Sequence, residues 1–298
     1  VVLGAAFAAL LFAVPVSAMP DDVEQTFDFG GVARSYWVHN GAGPAQRPLV
    51  LVFHGSGGSA QRMGRFTGFS ALAEKNGFVV VYPQGVNAEW NDERGISGRD
   101  EDDVDFVGAL IDRLIAEYRV DPKRVYAAGI SNGGFFSYAL ACRMSDRIAA
   151  IAPVAAAMPR ALEHSCKPAR AVPIVSFSGT SDPIVPYRGG AIGLQSGPAP
   201  PELGGVMSAP ASFALWKQLD GCASSADTTA RAVARDPDGT STTDLTSACG
   251  GRLQLYTING GGHTWPGGEP HLPFIVGITA AQPDASALMW EFFSRIHL

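Results

Sequence analysis

The pentapeptide Gly129-Ile130-Ser131-Asn132-Gly133 lies between an apolar, β-prone run, Arg124 to Ala128, and a helix-compatible run, Phe135 to Met144. A G-x-S-x-G pattern placed between strand and helix demands a very tight turn. The glycines remove side chains where strand and helix nearly touch, and the serine is held in strained backbone with its hydroxyl aimed out of the sheet. The helix that begins there points unpaired N–H groups at any anion forming beside the serine. In a chain with 35 glycines the five residues alone are weak evidence, and the flanking strand and helix carry the assignment.

The rest of the chain supplies matching strands and helices. Glu24 to Phe29 and Arg34 to His39 alternate apolar and polar residues around Gly30-Gly31, as a β-hairpin does. Leu49 to Phe53, Phe78 to Tyr82, Ile174 to Ser178 and Leu253 to Ile258 are short apolar runs suited to buried strands. Thr67 to Asn76, Val104 to Tyr118 and Asp284 to Ile296 have the character of helices. Strands alternating with helices predict an α/β fold, a mostly parallel sheet covered on both faces. No internal repeat or linker divides residues 22–298, which are expected to form one domain. Gly189 to Pro210 is rich in Gly, Pro, Ala and Ser and predicts an irregular excursion. Asp236 to Ser247 is polar and predicts a loop.

A net charge of −6 and a pI near 5.5 argue against a nucleic-acid partner. Val1 to Ala18 is uncharged and apolar and ends Val16-Ser17-Ala18, which predicts an export signal with a small-x-small cleavage site. The chain does not begin with Met and lacks a basic n-region, so the start reads as truncated or as a valine from an alternative start codon. The segment is too short and too interrupted by Pro to be a good membrane span. Export puts Cys142, Cys166, Cys222 and Cys249 in an oxidising compartment and predicts two disulfides. Three connectivities are open; sequential pairing, Cys142–Cys166 and Cys222–Cys249, closes the two shortest separate loops. No C-x-x-C spacing favours a metal.

A serine needs a base to take its proton, and the base needs an orienting carboxylate. On scaffolds with this elbow the chain order is Ser, then Asp or Glu, then His. Asp182, just after the Ile174 strand, is the acid candidate; Asp220, Asp236 and Asp244 lack a closely preceding strand. His263, in Gly260-Gly261-Gly262-His263 after the Leu253 strand, is the base candidate, ahead of His271 and His297. Backbone donors for an oxyanion are expected from Asn132 and from Gly55 and Ser56 in His54-Gly55-Ser56-Gly57-Gly58. Gly55 to Ala60 also fits a dinucleotide fingerprint, but the next strand ends Val81-Tyr82-Pro83 without the required acid. Asp100 to Asp105 reads as a helix-capping acidic run and not as a cation site. Trp90 and Trp265 flank the loops of the site and are candidate substrate contacts, with core packing as the plainer alternative.

These segments together carry a family resemblance. His54-Gly55-x-Gly57-Gly58, Trp90-Asn91-Asp92-x-Arg94, Asp102-Asp103-Val104, Val120-Asp121-Pro122-x-Arg124-Val125-Tyr126, Gly129 to Gly134 and Gly262-His263-Thr264-Trp265-Pro266-Gly267 resemble the secreted poly(3-hydroxybutyrate) depolymerase and feruloyl esterase family. The resemblance runs from about Phe27 to the end of the chain. It implies an α/β-hydrolase fold and a secreted, cofactor-free serine carboxylesterase with Ser131, Asp182 and His263 as its triad. It also implies a small aryl or acyl ester, a plant polysaccharide ester or a hydroxyalkanoate as substrate. No polymer-binding module follows the last helix, and no apolar lid is evident between Gly189 and Pro210, so soluble short esters are expected to be cut faster than solid polyester. The alternatives are a serine peptidase on the same scaffold and an inactive, carbohydrate-binding relative.

Overall fold

Along the central strands, successive side chains enter two different cores. In β3 (Arg47–Phe53) Leu49, Leu51 and Phe53 belong to one apolar cluster, while Val50 and Val52 belong to another. That is the two-residue period of a strand buried on both faces. The computed structural model describes residues 22–96, 102–194, 204–222, 224, 226–229, 236–249 and 252–298. The predicted export signal lies outside the described residues.

The described residues open with β1 (Val23–Phe29) and β2 (Val32–Asn40), a hairpin whose turn residues Gly30 and Gly31 both have positive φ, 63° and 82°. Such a turn matches the twist of the flanking strands. After β3 come α1 (Ala60–Thr67), α2 (Phe69–Asn76), β4 (Val79–Pro83), α3 (Asp103–Tyr118), β5 (Val120–Ile130), α4 (Asn132–Arg143), β6 (Ala150–Val154) and β7 (Ile174–Gly179). A small ribbon, β8 (Gly190–Ala191) with β9 (Gly205–Val206), precedes α5 (Ala209–Leu219). The chain closes with β10 (Asp227–Thr229), β11 (Ser241–Ser247), β12 (Leu253–Asn259), α6 (Pro273–Val276) and α7 (Ala285–Phe293).

Among the described residues one sheet runs β1-β2-β4-β3-β5-β6-β7-β12-β11-β10. The six strands from β4 to β12 in that order are parallel to their neighbours, and both margins are antiparallel. Helices α3, α4 and α5 cover one face through Phe106, Leu140 and Trp216; α1, α2 and α7 cover the other through Met63, Phe69 and Phe293. The parallel order sends every loop after β3, β5, β7 and β12 to the same edge of the sheet.

Several boundaries differ from the sequence reading. The helix expected over Thr67 to Asn76 is α2 and starts two residues later, because Gly68 adopts φ 73° and caps a further helix, α1, that precedes it. The segment expected as a loop over Asp236 to Ser247 turns at Asp236–Thr240 and then forms β11. Its Thr residues are β-branched, and the ladder with β12 supplies the hydrogen bonds, so a polar sequence still makes a strand. The excursion after Gly189 holds the β8–β9 ribbon; residues 195–203 lie outside the described residues. The disulfides are Cys142–Cys166 and Cys222–Cys249, the sequential pairing. The first ties the end of α4 to the loop before β7. The second closes a separate loop after α5.

Asp220 ends α5 and accepts the Val172 N–H at 2.9 Å through Oδ1, while its buried Oδ2 has no partner. Burial pushes its carboxyl up to about 6, against opposing pulls from Val172 N–H, Arg252 and Arg170. A folded pKa above the unfolded one means that the folded state holds the proton better. The resulting stability is full below about pH 4 and is lost as pH rises through about 6. Asp220→Asn should therefore flatten the fall in melting temperature between those limits. At neutral pH it should stabilise the fold by on the order of 1 kcal/mol, read from urea unfolding at a series of pH values.

Candidate active site

Ser131 stands between β5 and α4 with φ 56° and ψ −120°. A side chain at such angles costs of order 1–3 kcal/mol, offset by the surrounding packing. Its backbone is pinned on both sides: Ser131 N–H donates to Val154 O of β6 at 3.0 Å, and Phe135 N–H donates to Ser131 O at 2.9 Å. A Cβ on Gly129 would lie 2.4 Å from the Gly133 carbonyl, and one on Gly133 would lie 2.4 Å from Phe53 O. The motif's glycines are thus required by contact. Asn132 is the first residue of α4, so its N–H has no acceptor one turn back.

Asp182 follows β7 and His263 follows β12, its parallel neighbour. The two loops are drawn together by Ser181 N–H donating to Gly261 O at 2.9 Å. His263 Nδ1–H donates to Asp182 Oδ2 at 2.8 Å. The other carboxylate oxygen accepts the N–H groups of Ile184 and Val185, each at 2.8 Å. The carboxylate therefore cannot rotate without losing three bonds. It fixes the imidazole with Nδ1 as donor, leaving Nε2 as the acceptor in the neutral ring. From behind, His263 N–H donates to Val276 O and Gly262 N–H to Ile278 O, which strap the histidine loop to α6 and the residue pair after it. Ser131, Asp182 and His263 all stand at the carboxyl edge of the parallel strands. The same edge thus carries a strained serine and an oriented histidine–carboxylate pair.

The loop after β3 lies over the serine: a Cβ at Gly55 would be 3.3 Å from Ser131 Cβ. Two side chains set the direction of its amides. Trp90 Nε1–H donates to His54 O at 3.1 Å. In a trans peptide the N–H points opposite to the C=O, so this bond also aims the Gly55 N–H. His54 Nδ1–H donates to Gly55 O at 2.8 Å, which aims the Ser56 N–H in the same way. His54 Nε2 in turn accepts Gly85 N–H at 3.0 Å, and burial lowers the ring's pKa. His54 is thus a neutral clamp with both nitrogens engaged. Its adjacency to Gly55 was readable in sequence; its use as a clamp was not.

The model for esterase PHB depolymerase matches residues 32–209. The chain belongs to that family. It is 37% identical to the NocK esterase of Nocardia uniformis subsp. tsuyamanensis over 88% of this chain and 79% of the relative. It is 32% identical to feruloyl esterase B of Piromyces equi over 78% of this chain, but spans only 42% of that relative's length. Among solved structures, an acetyl xylan esterase from Aspergillus awamori superposes with a TM-score of 0.59 at 15% identity, covering 91% of this chain and 99% of the other. The fold is that of the α/β-hydrolases, and the chain is an esterase-family hydrolase.

Within this esterase, two residues expected at the substrate are placed elsewhere. Trp90 and Trp265 are both fully buried, which corrects their assignment as substrate contacts. Trp90 stacks on Phe136 and meets Phe53 edge-on. Trp265 Nε1–H donates to Ser286 Oγ at 3.0 Å, and its ring lies against Phe69. Each indole carries an N–H that needs a partner when buried, and each finds one that fixes a loop of the site.

The side chain of Asn132 was not anticipated either. Its Oδ1 accepts Trp90 N–H at 2.8 Å, and its Nδ2 donates to Trp90 O at 3.0 Å and to Asp92 Oδ2 at 2.6 Å. Asp92 also pairs with buried Arg94 at 2.8 Å, whose guanidinium lies over the Phe135 ring. The first turn of α4 and the Trp90 segment are thereby one unit. Asp103, expected only to cap α3, pairs with buried Arg34 and accepts Asn91 N–H; Asp102 is the cap, accepting Asp105 N–H. The rival histidine His271 lies edge-on against Phe66, and it is His263 that pairs with Asp182.

The rim behind His263 is apolar. Leu272, Phe274, Ile275 and Ile278 are exposed, Phe274 completely. These residues are scattered among Pro and Gly in the sequence and gather through α6.

Trp90→Phe keeps a ring between Phe53 and Phe136 but removes the donor to His54 O. The expected result is a loss of about 1 kcal/mol of stability and a fall in ester turnover of about tenfold or more, in kcat with KM little changed. Urea unfolding and steady-state kinetics on one soluble ester check this.

Proposed function

We propose that this chain is a secreted serine carboxylesterase acting through an acyl-enzyme. The observation that carries the proposal is the His263–Asp182 pair, at 2.8 Å, on the same sheet edge as the strained Ser131. Ser131 Oγ attacks the ester carbonyl carbon while His263 Nε2 takes its proton. The negative charge moves to the carbonyl oxygen, facing the N–H groups of Asn132, Gly55 and Ser56. Collapse of that intermediate breaks the bond to the alcohol, which leaves with the proton from His263. Water, deprotonated by the same histidine, then attacks the acyl carbon and releases the acid and Ser131. Asp182 holds the imidazole in the required tautomer throughout. Two disulfides support the export part of the proposal. Among the described residues no helix is long and apolar enough to cross a membrane.

Ser131→Ala should lower kcat on a soluble ester by on the order of 10⁶ and leave the unfolding curve close to that of the parent. Labelling by a fluorophosphonate should be lost in the same variant. Near-normal turnover by folded Ser131→Ala protein would refute the mechanism, and an unlabelled parent protein would point to the inactive relative. Cleavage of peptides in preference to esters would point to the peptidase alternative.

For the ester itself, soluble short esters, hydroxycinnamates included, are the proposed substrates, in keeping with a relative named feruloyl esterase. Solid polyester is a second reading, favoured by the apolar rim at Leu272, Phe274, Ile275 and Ile278. A rim of this kind suits adsorption to an apolar surface. The measurement is kcat/KM on methyl ferulate and on a soluble hydroxybutyrate oligomer, beside clearing of a polyhydroxybutyrate film. Turnover of the soluble esters with slow film clearing is expected. Rapid clearing that falls in Phe274→Ser, without ferulate turnover, would make polyester the substrate.

A further inference from the structure

One cavity lies away from the candidate active site. It has a volume of about 440 Å³ and opens at the amino edge of β7 and β12, under α7. Arg170 and Pro173 precede β7, Arg252 and Gln254 begin β12, and Leu288, Phe292 and Arg295 come from α7 and its end. β12 has seven residues, so at about 3.3 Å per residue the Arg252 end of the cavity is about 20 Å from the carboxyl edge that carries His263.

Its lining combines three cations, Arg170, Arg252 and Arg295, with the apolar and aromatic side chains of Tyr256, Leu288 and Phe292 and one carboxylate, Glu291. The cations are unequally engaged. Arg295 pairs with Glu291 at 2.6 Å. Arg170 spends its terminal nitrogens on the carbonyls of Ala171, Ile148 and Ala149, and its buried Nε has no partner. Among the described residues neither Arg170 nor Arg252 has a carboxylate within salt-bridge distance; Asp220 lies near enough to feel both. Positive charge so placed is unusual in a chain with a net charge of −6. Arginine suits planar oxyanions, and an aromatic wall suits a flat apolar body.

We propose that this cavity is a second ligand site, distinct from the esterase cleft, for a small aromatic carboxylate: the carboxylate on Arg252, with the charge of Arg170 beside it, and the ring against Tyr256 and Phe292. The site stands at the opposite sheet edge and does not depend on the acyl-enzyme mechanism.

The test is calorimetric titration of the full chain with sodium cinnamate, cinnamyl alcohol and inorganic phosphate. Cinnamate should bind, with the alcohol and phosphate each at least about tenfold weaker, since charge and ring are both required. Arg252 is exposed, so Arg252→Gln should fold normally and weaken cinnamate by about tenfold; Arg252→Lys should restore part of the loss. His263→Ala, at the other edge, should leave binding unchanged. Loss in His263→Ala with retention in Arg252→Gln would put cinnamate in the esterase cleft and overturn the proposal. So would retention in both variants, phosphate binding as tight as cinnamate, or no binding at millimolar concentration.

Discussion

The constraint on which the site depends is the near-contact of three backbone segments at one turn. Strand β5 arrives at Gly129, α4 leaves at Gly133, and the end of β3 lies against both; a Cβ at Gly133 would sit 2.4 Å from Phe53 O. Only glycine tolerates that approach. The chain between can reverse direction within one residue, and that residue, Ser131, takes the strained angles. The strain is sustained because both neighbouring peptides are hydrogen-bonded to fixed elements, β6 on one side and the α4 helix on the other.

Around this turn the chain spends buried polar groups on rigidity. Asn132 grips both backbone groups of Trp90, Trp90 grips His54, and His54 grips Gly55. Each link is a hydrogen bond between groups that would be costly to bury alone. Charges close the network, with Asp92 on Arg94 and Asp103 on Arg34, both pairs buried. Breaking one partner of such a pair is more damaging than the pair is worth, so the network resists piecemeal change. The loop over the serine is therefore positioned from beneath by the buried side chains of Asn132, Trp90 and His54.

The histidine side is built differently. Asp182 holds the ring from the front, and the backbone of Val276 and Ile278 holds the loop from behind. Packing the glycines of that loop against Gly179 and Val276 leaves no room for side chains; a Cβ at Gly262 would lie 2.1 Å from Val276 O. This same strap raises Phe274 and Ile275 into solvent beside the histidine.

The sequence by itself determined the parallel α/β class, the serine turn and the acid and base candidates. Those features are local: a strand period, a G-x-S-x-G turn, and polar residues just after apolar runs. It also pointed to the sequential disulfides, since short loops close most readily. It did not determine what buried residues do, because burial is decided by what packs over a segment. Trp90 and Trp265 read as candidate cleft aromatics, with core packing the plainer alternative, and the covering of Phe53, Phe136, Phe69 and Ser286 makes them core. Thr-rich β11 reads as loop until β12 offers it a ladder. The pairing of Arg34 with Asp103 and the arginine-lined cavity under α7 join residues far apart in the chain. Contacts of that kind leave no periodic trace in a sequence, and the tertiary structure alone brings them together.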